Sequence, residues 1–258
     1  MLLKNYRDVL VNSAHDFSSS IPDSFLLFTE GEFQTFYAPF EHVNASAKIV
    51  ICGITPGLQQ AVAALTEARR QLSLGQTLEI AAKAAKATAS FSGPMRSNLI
   101  QLLDSIGVAG HLKLASCAAL FTTHVHLVHY TSALRYPVFH RGKNYSGAPS
   151  MLRNRGMRQQ IDNYLTLEVQ ALGQDCLYVP LGPKVTEVFD YLASEGLISE
   201  SQILAGLPHP SGANAERISY FLGNKSRESL SAKTNPILMD RARETLVQKV
   251  EALRLCER

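Results

Sequence analysis

Short apolar runs alternate with longer stretches of helical periodicity along most of this chain, and that alternation limits its fold more than any other feature. Lys48-Ile49-Val50-Ile51-Cys52 is too short for a helix and rich in β-branched residues, so it reads as a buried strand. Cys176-Leu177-Tyr178-Val179-Pro180-Leu181 reads the same way. Two further strands are predicted, one within residues 119–128 and one over residues 204–207. Helical spacing predicts helices over 59–72, 76–90, 98–106 and 157–172, with breaks at Gly75, Ser92-Gly93-Pro94 and Gly107. Pro183 suits the first turn of a helix after the third strand. Pro236 opens a final helix, over 236–255, whose stripe is Leu238, Ala242, Leu246, Val250 and Leu253. Strands that alternate with helices imply a parallel sheet covered on both faces.

Composition narrows the class. The chain has 258 residues, 46% hydrophobic and 18% charged, which suits one soluble globular domain. No apolar run approaches the roughly 18 residues of a membrane span. Met1-Leu2-Leu3-Lys4-Asn5-Tyr6-Arg7-Asp8 lacks the apolar core of a signal peptide. Residues 1–46 are expected to hold an amphipathic helix, with Tyr6, Val9, Leu10 and Ser13 on one face, and an aromatic loop ending near Tyr37-Ala38-Pro39. The four cysteines, Cys52, Cys117, Cys176 and Cys256, have no C-x-x-C spacing. That argues against a zinc or iron–sulfur site and fits a reducing cytoplasm. A net charge of +3 permits nucleic-acid binding without demanding it.

Two loops carry the chemistry. Gly53-Ile54-Thr55-Pro56-Gly57 follows the first apolar run, and His209-Pro210-Ser211-Gly212 follows Ile203-Leu204-Ala205-Gly206-Leu207-Pro208. Each reads as a tight loop at the carboxyl end of a strand, where open α/β sheets place ligands. The first offers backbone N–H groups to an anion, and the second offers an imidazole.

Together and in this order, the two loops resemble the active-site motifs of the uracil-DNA glycosylase superfamily. The mismatch-specific and single-strand-selective branches, where the first motif reads Gly-x-Asn-Pro-Gly, are the most similar. The resemblance covers residues 47–223. It takes in Phe91-Ser92-Gly93-Pro94-Met95-Arg96-Ser97-Asn98-Leu99, which is similar to the family's aromatic-glycine stretch, and Leu181-Gly182-Pro183 after the third strand. It implies a three-layer α/β/α sandwich with a four-stranded parallel sheet of order 2-1-3-4, as a single domain. It also implies a monofunctional DNA glycosylase that flips a pyrimidine out of DNA and hydrolyses its glycosidic bond, with DNA as partner and no cofactor or metal.

The resemblance implies roles residue by residue. His209 would stabilise the departing base anion; otherwise it is a satisfied loop histidine. Thr55 stands where relatives carry Asn or Asp to orient the attacking water, and a hydroxyl is no general base at neutral pH. Phe91 would stack on the extruded base or else pack in the core, while Gly53 and Ile54 would border the base. Pro56, Gly57, Ser211 and Gly212 would meet phosphates, though Ser211 or Asn214 equally suits a helix cap. Asn214 and Arg217 lie in the segment that would wedge into the duplex, where a large apolar residue is missing.

Three departures bear on substrate. In the second-strand stretch Phe121-Thr122-Thr123-His124-Val125-His126-Leu127-Val128-His129, relatives carry an asparagine that reads the base edge; His124 fits that slot best. His124 and His126 would share a strand face, which leaves metal ligation as the lesser alternative. The helical stretch 58–92 is longer than in compact relatives; it either shapes a larger base pocket or is a solvated hairpin. Finally, the segment from Arg135 to Gly147, with Arg135, Arg141 and Lys143 among aromatics, reads as a mobile DNA-tracking loop or as an ordinary solvated basic loop. These departures leave three functional readings: a glycosylase for uracil-like or modified pyrimidines, one for hypermodified phage bases in antiviral defence, and a non-catalytic DNA-binding module.

Overall fold

The structure is a computed structural model that describes residues 1–12, 17, 19–90 and 94–256. In chain order the helices are α1 (Leu3–Asn12), α2 (Leu58–Ser73), α3 (Leu78–Ala89), α4 (Pro94–Ser105), α5 (Val108–His111), α6 (Arg155–Gln160), α7 (Thr166–Ala171), α8 (Pro183–Ser194), α9 (Ala215–Phe221) and α10 (Pro236–Cys256). The strands are β1 (Leu26–Glu30), β2 (Phe33–Phe36), β3 (Ile49–Gly53), β4 (Val128–Ser132), β5 (Val138–His140), β6 (Lys143–Asn144) and β7 (Leu177–Pro180). The fold is mixed α/β with two sheets. One has the order β1-β2-β5-β6 and the other β4-β3-β7. Two compact units emerge, each assembled from three stretches of chain.

The first unit comprises Met1–Val43, Gly53–Ser90 and Thr131–Ala171. Its sheet is antiparallel throughout. The β1–β2 hairpin occupies the stretch expected to be an aromatic loop, and the β5–β6 hairpin occupies part of the expected basic loop. In α2 and α3 the inward faces are mostly alanine: Ala61, Ala64 and Ala68 on one, Ala81, Ala82 and Ala85 on the other. Small side chains let the two helix axes approach closely. Thr77 starts α3 by accepting the Ile80 N–H. The hairpin is therefore no solvated appendage. It shares one core with Leu3, Leu10, Phe25, Tyr37 and Tyr136. Tyr6 stacks on Tyr37 with ring centroids 4.0 Å apart.

The second unit comprises Asn44–Cys52, Phe91–Tyr130 and Leu172–Arg258. Ile49 and Ile51 of β3 and Leu177 and Val179 of β7 are buried in one cluster with Leu99, Leu102 and Leu103 of α4, Ile106 just after it, and Leu246 and Val250 of α10. Burying each such side chain contributes roughly 1.5–3 kcal/mol. Gly107, at φ +86°, ends α4 in the left-handed conformation that favours glycine. Only the later part of the expected stripe on α10 is inward, since Leu238 is 61% exposed.

The parallel sheet corrects two expectations. β3 and β7 pair in parallel from Ile49 opposite Leu177 to Cys52 opposite Pro180. A fourth strand over 204–207 does not form. One parallel bridge joins Ile203 to Tyr178, and the Leu204 N–H donates to the Tyr178 carbonyl at 2.7 Å. Gly206 then turns the chain at φ +118°, and a Cβ there would lie 2.9 Å from that of Ala242. The second correction concerns the strand expected within 119–128. That stretch forms 3-10 turns at Cys117–Phe121 and Val125–Leu127, and β4 starts only at Val128. Asn44 holds the second turn by donating from its amide to the His126 and Val128 carbonyls, at 2.9 and 2.8 Å. A strand cannot satisfy both carbonyls from one side chain, whereas a turn brings them together.

Candidate functional site

The loop after β3 lies in the first unit, and hydrogen bonds within that unit tie it down. Gly53 and Ile54 accept the Ala133 and Leu134 N–H groups through their carbonyls, at 2.8 and 2.9 Å. The Thr55 hydroxyl donates to the Tyr136 carbonyl and accepts the Val138 N–H, both at 3.0 Å. A hydroxyl has one proton, and here a backbone oxygen holds it. Thr55 could still accept a hydrogen bond from a water, but it has no proton left to give. Pro56 is buried. The Gly57 N–H donates to Gln60 Oε1 at 3.1 Å, and the Leu58 N–H donates to Asn144 Oδ1 at 3.0 Å. Both N–H groups at the start of α2 are thus capped by side chains, although that of Gly57 belongs to the loop expected to face an anion. A Cβ on Gly57 would sit 3.2 Å from Asn144 Nδ2.

His209 lies in the second unit and is half-buried. Its Nδ1 accepts the Ser211 backbone N–H at 3.2 Å. A backbone N–H can only donate, so Nδ1 carries no proton. In the neutral ring the proton is then on Nε2, for which the structure gives no acceptor among the described residues. Burial holds the His209 pKa below its ordinary value and so favours this neutral form. The loop is anchored on both sides. The Asn98 amide of α4 donates to the Pro210 carbonyl at 2.9 Å. The Asn214 N–H donates to the Ser211 carbonyl at 2.9 Å, and the Asn214 amide reaches Ser211 Oγ at 3.3 Å. Gly212 is exposed at the start of a single 3-10 turn leading into α9. Arg217 is engaged within the unit, donating to Asn214 Oδ1 at 3.1 Å and to the Lys233 carbonyl at 3.0 Å.

The remaining expected site residues fare differently. Phe91 lies outside the described residues. His124 is on a turn rather than a strand, with Nδ1 2.9 Å from the Thr123 hydroxyl and its ring 5.8 Å from that of His126. The expectation that the two rings share a strand face is therefore withdrawn. No group of three or more His, Cys, Asp or Glu side chains among the described residues is arranged to hold a metal ion. No helix among them is long and apolar enough to cross a membrane.

Part of the basic segment is ordered into β5 and β6. Tyr136, Phe139 and Tyr145 are buried in the first unit, so these rings pack instead of offering a stacking surface. Arg135 is also interior. It pairs with Glu168 at 2.6 Å, with side-chain exposures of 11% and 1%, and its guanidinium lies 4.8 Å from the Tyr164 ring centroid. Its expected role on DNA gives way to a structural one. Arg141 is exposed at φ +52° and pairs with Glu32 at 2.8 Å, and Lys143 is exposed.

No family model matches the chain, and no solved structure matches it. It is 35% identical over 229 residues to the uncharacterized protein YoxB of Bacillus subtilis (strain 168), covering 88% of this chain and 90% of YoxB. The chain belongs to the YoxB family. That membership carries no activity with it, so the chemistry of this YoxB-family chain rests on its own residues. Two of them escaped the sequence reading. With β4 starting at Val128, its carboxyl end is Ser132, whose Oγ lies 3.8 Å from where a Cβ on Gly53 would be. Gln160, at the end of α6, accepts the Tyr136 N–H at 3.1 Å while its own amide nitrogen has no partner among the described residues. A glutamine in a helical stretch gives no sequence signal of that kind.

Proposed function

We propose that this chain is a monofunctional DNA glycosylase, which extrudes a uracil-like or modified pyrimidine and hydrolyses its N-glycosidic bond to leave an abasic site. The observation that carries the reading is the state of His209. As the bond breaks, the sugar becomes oxocarbenium-like and the base departs with negative charge. A neutral imidazole with Nδ1 already accepting from Ser211 presents a fixed Nε2–H donor to that charge. Such a preorganised donor contributes roughly 3–4 kcal/mol to the transition state. Ser211 and Gly212 beside it are the proposed phosphate contacts of the second unit, and exposed Arg141 and Lys143 are separately proposed to meet DNA from the first unit. A water attacks C1′ as the glycosidic bond breaks.

The finer fold reading is part of the proposal. The order β4-β3-β7, with the Ile203 bridge beside Tyr178, is taken as a reduced form of a 2-1-3-4 parallel sheet in an α/β/α sandwich. A cytoplasmic setting goes with it, supported by Cys52, Cys117 and Cys176, which are buried and outside any disulfide.

The engaged hydroxyl of Thr55 favours one second reading, a DNA-binding module of the same fold that does no chemistry. One experiment separates the two. Purified protein is incubated with oligonucleotides carrying uracil or modified pyrimidines, and with DNA from phages with hypermodified pyrimidines. Alkali-labile sites are then scored. The expected result is abasic product that falls by about 100- to 1,000-fold in His209→Ala. DNA binding without product on every substrate would establish the second reading.

A further inference from the structure

We infer that the second unit holds a separate site for a small organic amine, in a cavity of about 620 Å³ at the amino end of β7. The volume falls within the roughly 300–1,000 Å³ of small-molecule sites. Every lining residue belongs to the second unit, and none belongs to the His209 loop. The inference is therefore independent of the glycosylase reading. Leu177, the first residue of β7, lines the cavity with Leu197, Ile198 and Leu253 of α10. These four side chains supply an aliphatic wall for an apolar body.

The polar wall is braced from within. Gln202 donates both amide protons to backbone carbonyls, those of Gln174 at 2.6 Å and Cys176 at 2.9 Å, and its Oε1 accepts the Ser199 N–H at 2.8 Å. It thus joins the turn before β7 to the 3-10 turn over Glu200–Gln202, with no proton left for a ligand. Ser199 and Ser201 place their hydroxyls 2.8 Å apart, so one proton lies between the two oxygens. The groups that remain open are chiefly acceptors. Asp175 lines the cavity from the exposed turn before β7, and its carboxylate has no partner among the described residues. His111 closes α5 beside it in the lining, and its Nδ1 also lacks a partner among them. Nothing in the unit anchors that nitrogen, so the ring can turn an acceptor toward a donor in the cavity.

Charge selects the ligand. Asp175 is the only Asp, Glu, Lys or Arg in the lining. Lys249 directs its ammonium to the Glu200 and Ile203 carbonyls, at 3.1 and 3.0 Å. An anion would thus meet a carboxylate with no cation on the wall. An alkylammonium has donors and no acceptor, which matches the open groups, and carries a chain for the aliphatic wall. A metal ion fits less well, since no group of three or more His, Cys, Asp or Glu among the described residues is arranged to hold one.

The test uses 15N-labelled full-length protein and three probes that share one aliphatic body: hexylamine, hexanol and hexanoate. Each is titrated at neutral pH while the backbone amide resonances of Leu177, Leu197 and Ile198 are followed. Hexylamine is expected to shift these resonances saturably and to bind more tightly than hexanol, with hexanoate weakest. Asp175→Asn, a near-isosteric change in an exposed turn, should weaken hexylamine about 10-fold and leave hexanol unchanged. Cavity resonances unmoved by hexylamine would overturn the inference. So would hexanoate or hexanol binding as tightly as hexylamine, or a folded Asp175→Asn that keeps wild-type affinity for hexylamine. If that variant does not fold, the comparison of the three head groups on wild type decides.

Discussion

The loop after β3 and the loop that follows the Ile203 bridge both contain glycine and proline, yet their key polar groups are treated differently. In the first unit, Thr55, Gly57 and Leu58 each find a partner in their own unit: the Tyr136 carbonyl and Val138 N–H, Gln60, and Asn144. In the second unit, His209 has one nitrogen occupied by Ser211, which fixes the proton on the other. The first loop is organised as structure and the second as a donor. Motif shape alone does not separate these cases; the number of partners reaching each loop does.

The largest expected effect tests how firmly the first unit is held by internal polar pairing. Glu168→Ala leaves the Arg135 guanidinium buried and unpaired, which should destabilise the protein by about 3–5 kcal/mol in urea unfolding. A loss below about 1 kcal/mol would show that this pairing does not hold the region around the first loop. Next in size is Thr55→Val, which removes the acceptor of the Val138 N–H. The expected loss is about 1–3 kcal/mol, with Thr55→Ser largely restoring stability. A variant that keeps full stability but loses abasic product would break the comparison, because Thr55 would then act on the reaction and not on the fold.

The smallest effect concerns the second loop and pH. Burial lowers the folded-state pKa of His209, so below the ordinary value of 6.5 the unfolded chain takes up a proton that the folded chain resists. Stability is therefore fully present above that value and declines as pH falls beneath it toward the folded pKa. His42 shifts in the same direction and remains in any His209 variant, so the comparison must be a difference. His209→Asn should show a shallower fall in Tm than wild type between about pH 7 and pH 5. Equal slopes would mean that the His209 imidazole is not held neutral.

The legible parts of the fold share one property. The helices α2, α3, α4 and α10 were readable because their apolar periodicity, the stops at Gly75 and Gly107 and the start at Pro236 are local. β3 and β7 were readable as short apolar runs buried on both faces. The β1–β2 and β5–β6 hairpins were not, because their residues read equally as aromatic and basic loops until a partner strand completes the hydrogen bonds. The second parallel strand was misplaced for a related reason. Phe121 to His129 has strand-like composition, but Asn44, far away in sequence, stabilises a turn there.

The candidate site divides along the same line. The sequence by itself determined which side chains stand after the two apolar runs, and with them the possible chemistry: an imidazole in one loop, a hydroxyl without a neighbouring carboxylate in the other. Tertiary structure alone decided which of these groups stays available. Thr55 commits its hydroxyl hydrogen to the Tyr136 carbonyl, Arg135 is drawn inward by Glu168, and Gln160 is left with a donor and no acceptor among the described residues. The physical reason is that hydrogen-bond capacity belongs to the residue, whereas its satisfaction depends on partners that only folding brings within reach.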